Sequence, residues 1–392
     1  MAESLIQFHT SGGPAVPPPL AVYVHVPWCL AKCPYCDFNS HPLRGKLPET
    51  EYLDALRRDL EAGLPAIWGR PVETVFIGGG TPSLISVAGV ERLLQDLRTL
   101  LPLRPWAEIT LEANPGAFEA ERFRGYRAVG VNRLSIGVQS FDDRKLAALG
   151  RVHDGAAARR AVEAALTLFD TVNLDLMYAL PGQTVAELDA DLDVALGLGP
   201  THLSAYHLTL EPNTAFAARP PPLPNEDTAA DMQLRVEQRL AEAGYQHYET
   251  SAFARPGARC RHNLNYWEFG DYLGLGAGAH SKLSHADGIE RQARLRHPRD
   301  YMRHAGRPEI LQEQRRLDPA DRVFEFMMNA LRLTEGVPAR LFQERTGLPL
   351  GAARNGLLAA ERKGLLTVQA ERIAPTPQGR RYLNDLLALF LP

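Results

Sequence analysis

Three cysteines close together, Cys29, Cys33 and Cys36, constrain this 392-residue chain more than any other feature. They follow an alternating apolar stretch, residues 22–27, which predicts a β-strand, so the loop at its end can direct three thiolates to one centre. Structural zinc normally takes four protein ligands, and the remaining cysteine, Cys260, lies far along the chain. Three thiolates suit a [4Fe–4S] cluster in which one iron stays open to an external ligand.

Other uses of these cysteines stay open at this point. Structural zinc would need Cys260 or a histidine as its fourth ligand. Disulfides are disfavoured, because four cysteines are too few for a stapled secreted scaffold and no signal peptide precedes them. Reduced thiols and the lack of an export signal predict a cytoplasmic protein. A transmembrane segment is not expected either, since no apolar run approaches the ~20 residues needed to span a bilayer.

The composition is that of an ordinary soluble protein, with 45% hydrophobic and 23% charged residues. The length predicts two domains, or one large and one small. The formal net charge of -3 gives no electrostatic reason to expect nucleic acid as a partner.

Strands alternate with amphipathic helices from residue 22 to residue 210, which predicts βαβ units and a parallel sheet. Six such units are two short of a full eight-unit barrel. The expected fold class is therefore α/β, an incomplete (β/α)6 TIM-like barrel, preferred to an open doubly wound sheet. In both folds the functional residues gather at the carboxyl ends of the strands.

The chain is predicted to divide into four segments. A loose N-terminal tail covers residues 1–20, the core covers 21–250, a linker segment with an HNxxYW motif covers 251–318, and a mainly helical, winged-helix-like domain covers 319–392. The third helix of this last domain is rich in alanine and leucine and carries few basic residues. We therefore interpret the domain as a lid or docking module, with nucleic-acid binding as the less favoured reading.

Several motifs in a fixed order resemble the radical S-adenosylmethionine (SAM) superfamily, and within it the oxygen-independent coproporphyrinogen III oxidases and their relatives. The resemblance runs from about Tyr23 to the end of the chain. Its motifs are the cysteine loop, Gly78-Gly-Gly-Thr-Pro82, Glu112-Ala-Asn-Pro115, Ser135-Ile-Gly-Val-Gln-Ser-Phe141 and Asp175-Leu-Met-Tyr-Ala-Leu-Pro-Gly182.

The position two residues after Cys36 separates two branches of that family. The dehydrogenases extend the loop to CxxxCxxCxC, whereas this chain has Phe38 there. The pattern CxxxCxxCxF, together with the HNxxYW motif at residues 262–267, is similar to the haem chaperones of the HemW type. Members of that group are understood to bind haem and pass it to apo-haemoproteins.

The resemblance implies that Cys29, Cys33 and Cys36 hold a [4Fe–4S] cluster and that SAM chelates its open iron. In relatives, glycine backbone approaches the methionyl ammonium, an arginine pairs with the carboxylate, and polar side chains bind the ribose. Ordinary roles stay open for several of the matching positions, above all packing for Tyr35 and a surface position for Arg151. The implied cofactor contacts are Tyr23, Tyr35, Phe38, Gly79, Gly80, Thr81, Glu112, Gln139, Arg151 and Asp175.

For haem, the resemblance makes His262 the candidate axial ligand, because imidazole binds haem iron well. Tyr266 and Trp267 would stack on the porphyrin. The alternative is a core histidine beside two buried aromatic rings. Cys260 is interpreted as either a competing axial thiolate or an inert thiol, and His280 resembles a position near the SAM site of relatives.

The leading hypothesis is a cytoplasmic haem chaperone with a radical SAM core that delivers haem to acceptor haemoproteins. Phe38 argues against a true coproporphyrinogen III oxidase, but coproporphyrinogen III dehydrogenase stays the alternative function. A third interpretation is a binding module whose cluster only stabilises the fold and a dimer. The sequence leaves open the acceptor, with membrane respiratory proteins as candidates, the oligomeric state, with a homodimer as one candidate, and whether SAM is cleaved.

Overall fold

A computed structural model describes residues 12–116, 119–369 and 371–391. Strands and helices alternate through the first part of the chain, as the sequence pattern predicts. The elements there are β1 (Leu20–Val26), β2 (Trp28–Cys29), β3 (His41–Pro42), α1 (Glu49–Ile67), β4 (Val72–Gly79), α2 (Val87–Leu100), β5 (Leu103–Ala113), α3 (Glu119–Val129), β6 (Arg133–Gln139), α4 (Asp143–Ala148), α5 (Gly155–Leu168), β7 (Thr171–Tyr178), α6 (Val185–Leu198), β8 (His202–His207), α7 (Ala215–Ala218) and α8 (Glu226–Glu242).

A second group of elements follows, with more strands than the sequence pattern indicates. These elements are β9 (Gln246–Glu249), β10 (Ala252–Ala254), α9 (Arg261–Trp267), β11 (Asp271–Leu275), β12 (His280–His285), β13 (Gly288–Arg294), α10 (Pro298–His304), β14 (Leu311–Arg316), α11 (Pro319–Ala330), β15 (Val337–Pro338), α12 (Ala339–Thr346), α13 (Arg354–Arg362), β16 (Leu366–Gln369), β17 (Arg372–Pro375), α14 (Pro377–Arg381) and α15 (Leu383–Ala388).

Six parallel strands stand in sequential order, β1-β4-β5-β6-β7-β8, at the centre of the main sheet. A doubly wound sheet reverses its order at a switch point, and this run does not. Successive helices therefore pack against one another along the same course, as α1 with α2 and α2 with α3 do. The prediction of an incomplete (β/α)6 barrel is confirmed.

One face of strand β1 packs into the core through apolar side chains. Val22, Val24 and Val26 of β1 are all fully buried, as expected for a parallel sheet that is covered by helices. The helices begin where the sequence supplies caps. Thr184 and Glu187, for example, form a reciprocal capping box at the start of α6.

Residues 251–318, which the sequence pattern predicts to be a linker, lie inside the main sheet. Strand β11 pairs in parallel with β1, on the side away from β4, and β12, β13 and β14 continue antiparallel from it. We call β11–β14 the sheet extension. Two buried ion pairs fix it, Lys282 with Asp271 at 2.9 Å and Arg294 with Asp59 at 3.0 Å.

The stretch before β1 contacts two distant parts of the chain over its described residues. The backbone N–H of Gly13 donates to the carbonyl of Ala286 in the sheet extension, and Arg322 of α11 donates to the carbonyl of Gly12. Residues 1–11 of the predicted tail lie outside the described part of the chain.

The C-terminal elements form the predicted winged-helix-like arrangement. Strands β15, β17 and β16 pair antiparallel beside α11, α12 and α13. Phe326 and Phe342 meet edge to face in its core, and Phe326 also contacts Phe269 just before the sheet extension. The domain is thus packed onto the extension. Within the ranges described above, no helix is both long and apolar enough to cross a membrane.

Candidate functional site

The cysteine loop leaves the carboxyl end of β1 and is closed at its base. The backbone N–H of His41 donates to the carbonyl of Pro27 at 2.7 Å, and that of Leu43 donates to the carbonyl of Cys29 at 2.8 Å. This pairing of β2 with β3 brings the two ends of the loop together. The residues between them, including Cys33 and Cys36, project from the barrel edge as predicted.

The three thiols of the loop are free and adjacent. Cys29 is 6% exposed, whereas Cys33 and Cys36 are half-buried. Burial raises the pKa of the Cys29 thiol, and the neighbouring Cys36 and Cys33 raise it further. In the described residues, no three cysteine, histidine or acidic side chains converge as ligands of one metal ion. A [4Fe–4S] cluster makes a different demand, since each thiolate binds its own iron, and three neighbouring thiols on one loop fit it.

Cys260 lies elsewhere, at the start of α9. It is fully buried, and its Sγ contacts Oε1 of Glu108 at 3.6 Å. Glu108 precedes Glu112 by four residues on β5, which corresponds to about 13 Å of strand. Burial raises the pKa of the Cys260 thiol to about 12, so the group stays protonated. This placement supports the interpretation of Cys260 as an inert thiol and not as an axial thiolate.

A chain of hydrogen bonds joins the cysteine loop to the ends of three strands. Nη2 of Arg151 donates to Oδ1 of Asn114 and to the carbonyl of Gly137, both at 2.7 Å, while Nη1 lies 3.7 Å from Sγ of Cys33. Nδ2 of Asn114 donates to Oγ1 of Thr81 at 3.1 Å. The structure therefore places Arg151 and Thr81 beside the cysteine loop. Arg151 is part of this hydrogen-bond network and not an ordinary surface arginine.

Gly79 and Gly80 are required by a close approach of β4 to the end of β1. A Cβ atom on Gly79 would lie 2.6 Å from the carbonyl oxygen of Val26, and one on Gly80 would lie 2.5 Å from that of Trp28. Gly79 also has a φ of +127°, which L-residues with side chains rarely adopt. Its N–H donates to Oε2 of Glu112 at 3.0 Å.

Two half-buried carboxyl groups, Glu112 and Asp175, face this edge of the sheet. Burial, together with the nearby Asp175, raises the pKa of Glu112 to about 8. Burial also raises the pKa of Asp175, although Asn173 and Ser135 donate hydrogen bonds to it at 2.9 and 3.2 Å. Acids of this kind favour a cation beside them. SAM carries an ammonium and a sulfonium group, so the donor set fits it.

The other predicted SAM contacts lie around the same edge. Gln139 ends β6 with a φ of +70° beside Gly137. The hydroxyl of Tyr23 is 2.9 Å from Nδ1 of His25 inside the barrel. Tyr35 lies against Phe216, with ring centroids 6.3 Å apart. This contact favours a packing role for Tyr35 over a contact with SAM.

A cavity of about 600 Å³ connects this edge of the barrel to the sheet extension. Phe38, which is 61% exposed, stands at one side of it. The cavity is therefore lined by predicted SAM contacts on one side and by residues of α9 and the sheet extension on the other. The lining residues that bear on function are Tyr23, Phe38, Gly79, Glu112, Tyr266, Tyr272, His280 and Arg296.

The three residues predicted to contact haem are separated by the geometry of α9. His262 and Tyr266 are one helical turn apart and lie on one face, but Trp267 is rotated away from them. Tyr266 lines the cavity. Trp267 packs instead below the guanidinium of Arg332, which is 4.3 Å from its ring centroid.

The ring of His262 is 1% exposed and both of its nitrogens have neighbours. Nδ1 is 2.8 Å from Oγ1 of Thr74, and Nε2 is 3.3 Å from the hydroxyl of Tyr266. Burial lowers the pKa of His262 to about 3, so the ring is neutral. This geometry supports the reading of His262 as a core histidine that positions Tyr266.

Sequence reasoning assigns no role to Asn114, Ser135, Tyr272 or Arg296. Asn114 directly follows β5 and Ser135 lies within β6, and both belong to the motifs that carry the family resemblance. Their place in those motifs is a usable signal. Tyr272 and Arg296 reach the cavity only through the sheet extension, which the sequence pattern does not predict.

Comparison with protein-family models gives two matches. Residues 23–195 match the radical SAM superfamily, and residues 317–382 match the HemN C-terminal domain. A solved structure, coproporphyrinogen III oxidase (HemN) from Escherichia coli, superposes with a TM-score of 0.81 at 26% sequence identity, covering 95% of this chain and 90% of that one.

Curated relatives match over nearly the whole chain. The protein named heme chaperone HemW from Escherichia coli is 50% identical, and that from Haemophilus influenzae is 47% identical; each match covers 95% of this chain and 98% of the relative. The protein of the same name from Mycobacterium tuberculosis is 39% identical, covering 95% of both chains.

Proposed function

Because this chain belongs to the HemW family of radical SAM proteins, we propose that it is a haem chaperone. It is proposed to be a cytoplasmic protein that carries one [4Fe–4S] cluster, binds SAM and haem, and passes haem to acceptor haemoproteins. Membrane respiratory proteins are the acceptors we propose, and a homodimer is the proposed assembly.

The observation that carries this proposal is a contrast in sequence identity. The chain is 50% identical to a relative named as a haem chaperone but 26% identical to an oxidase of very similar fold. Fold alone therefore does not decide between the two functions. Phe38, at the position where the dehydrogenases carry a further cysteine, agrees with the chaperone.

The proposed cluster ligands are Cys29, Cys33 and Cys36. Arg151 places a guanidinium 3.7 Å from Sγ of Cys33, beside the proposed cluster. When bound at the open iron, SAM supplies the capacity for one-electron chemistry. The hydrogen bonds from Arg151 to Asn114 and Gly137 hold its guanidinium toward the cluster.

Glu112 and Asp175 are the proposed partners of the positive and hydroxyl groups of SAM. In the free protein, burial disfavours the ionised form of Glu112. A bound cation offsets that cost, because opposite charges stabilise each other strongly where water is excluded. Gly79 and Gly80 let the backbone approach the methionyl group, and Gln139 and Asp175 are proposed to bind the ribose.

Haem is proposed to occupy the part of the cavity that faces the sheet extension. Tyr266 presents an aromatic ring there and Phe38 presents another, and flat aromatic faces suit a porphyrin. The volume lies within the range of about 300–1,000 Å³ that is usual for small-molecule sites.

One preparation tests this function against its alternative. The cluster is reconstituted without oxygen, and the protein is loaded with haem and mixed with an apo-haemoprotein acceptor. Transfer of haem, seen as the acceptor's Soret band, is the expected result. A parallel sample receives coproporphyrinogen III, SAM and a reductant. Formation of protoporphyrinogen at a useful rate, without haem transfer, would identify the dehydrogenase instead.

A further inference from the structure

Among the described residues, His25 and His280 line the cavity and His262 contacts Tyr266 in its wall. Their hydrogen-bond partners distinguish these histidines. His262 has both ring nitrogens engaged, by Thr74 and Tyr266. His25 also has both engaged, by the hydroxyl of Tyr23 and by the carbonyl of Asn39, each at 2.9 Å.

His280 is different. It begins β12, lines the cavity and is exposed, and no hydrogen bond to its ring is made by the described residues. Burial and the nearby Arg291 lower its pKa, so the ring is neutral and can donate a lone pair to a metal. An axial ligand needs one imidazole nitrogen with a free lone pair, and His280 has one available.

The charge at this end of the cavity also suits haem. Arg296 lines the cavity, and its guanidinium makes no ion pair within the described ranges. Arg291 is already engaged by Glu325 at 2.8 Å, and the nearby Glu313 pairs with Arg315 at 3.4 Å. Arg296 is therefore the guanidinium available to a carboxylate ligand such as a propionate.

We infer that His280 is the axial ligand of the bound haem iron, with Arg296 binding a propionate and Tyr266 lying against the porphyrin. This inference rests on the proposed function and deepens it. His25 and His262 are held by other partners, so the iron receives one protein ligand and its sixth position stays open.

An open sixth position explains how the haem can leave. A ligand of the acceptor binds the iron at that position, and the bond from iron to Nε2 or Nδ1 of His280 then breaks. The exchange replaces one neutral donor with another donor, so no electron is transferred and no further reactant is needed. A haem held by two protein histidines would have no such route.

Ligand replacement tests the inference in the cluster-loaded protein. Haem is titrated into wild type and into His280→Ala and His280→Cys, and the cluster spectrum recorded before haem addition is subtracted. His280→Ala should weaken haem binding by about tenfold or more, since even outer-shell partners of metal sites are worth 10–100-fold. Added imidazole should restore its Soret band.

The cysteine variant gives a readout that loss of folding cannot imitate. His280→Cys should move the Soret band of the ferrous carbonyl form to longer wavelength, as thiolate ligation does. His262→Gln, which keeps a hydrogen-bonding group beside Tyr266, is the matched control and should retain the wild-type haem spectrum. SAM binding should be unchanged in His262→Gln, and its measurement in the two His280 variants reports separately on the SAM site.

Two results would overturn the inference. If wild type binds and transfers haem while both His280 variants keep its spectrum and affinity, His280 is not the ligand, although the chaperone function stands. If wild type neither binds nor transfers haem, the proposed function fails and the axial ligand with it.

Discussion

At the cysteine-loop end of the cavity the polar side chains hold one another, whereas at the end formed by the sheet extension some of them face the cavity alone. Arg151 binds Asn114, which binds Thr81. At the other end, His280 and Arg296 have no such partner in the part of the chain described. A fixed network suits a cofactor that stays in place, and unpaired groups suit a cargo that is taken up and released.

The largest expected effect separates the loop cysteines from Cys260. Cys33→Ala removes one ligand of the proposed cluster, and we expect iron and sulfide content to fall by more than the roughly 10–100-fold seen for outer-shell changes. Cys260→Ser, the matched control, should keep both, because that thiol contacts Glu108 in the core. Iron analysis after anaerobic reconstitution provides the measurement. Equal losses in the two variants would show that Cys260 belongs to the metal site.

The next effect distinguishes two carboxylates on one strand. Glu112→Gln should weaken SAM binding about 10- to 100-fold, the usual worth of a hydrogen bond to a charged group. Glu108→Gln is the control, since Glu108 instead accepts the backbone N–H of Arg261 and of His262. Equilibrium dialysis with SAM measures both. A SAM affinity that falls only in Glu108→Gln would place SAM away from this edge.

The pH dependence of stability tests the burial of Glu112 in the ligand-free protein. Its folded-state pKa of about 8 exceeds the ordinary value of 4.5, so the folded state keeps a proton that the unfolded state releases. This contribution is fully present below the unfolded pKa and is lost as pH rises toward the folded pKa, by at most about 1.4 kcal/mol per pH unit.

Urea unfolding at several pH values between those two pKa values measures the effect. The free energy of unfolding of wild type should fall more steeply with rising pH than that of Glu112→Gln. Asp175 is present in both proteins, so the difference in slope reports Glu112 together with its interaction with Asp175. Parallel curves would mean that Glu112 is ionised in the folded protein.

The smallest effect concerns the aromatic pair at the end of α9. Trp267→Phe should lower the free energy of unfolding by about 1–2 kcal/mol, because the indole packs beneath Arg332. It should leave haem affinity unchanged. Tyr266→Leu, which alters the cavity wall, should weaken haem binding. Haem titration and thermal unfolding of both variants provide the measurements. If only Trp267→Phe weakened haem binding, Trp267 and not Tyr266 would be the haem contact.

The barrel and the strand ends that form the candidate site could be predicted from the sequence, because each is specified by a short stretch of chain. Each strand is a short apolar run, and the motif residues at its carboxyl end must meet on one edge of a parallel sheet. Glu112 and Gln139 illustrate this, since both lie in the motifs and near the carboxyl ends of their strands.

The sheet extension could not be predicted in the same way. Strand β11 pairs with β1 across about 250 residues of chain, and its residues merge into a glycine-rich stretch that resembles a loop. Arg296 is therefore not recognised as a neighbour of the cavity, and His280 is placed near the SAM site only through the family resemblance. The HNxxYW motif also suggests that His262, Tyr266 and Trp267 lie side by side. The motif forms a helix, however, and the helical turn places Trp267 on a different face from His262.

The account depends most on where iron binds, and iron anomalous diffraction from crystals of the haem-loaded protein measures that directly. We expect two sites: a cluster of irons beside Cys29, Cys33 and Cys36, and a single haem iron in the cavity at bonding distance from His280. A mononuclear peak at the cysteines, or a haem iron on His262 or outside the cavity, would contradict the account.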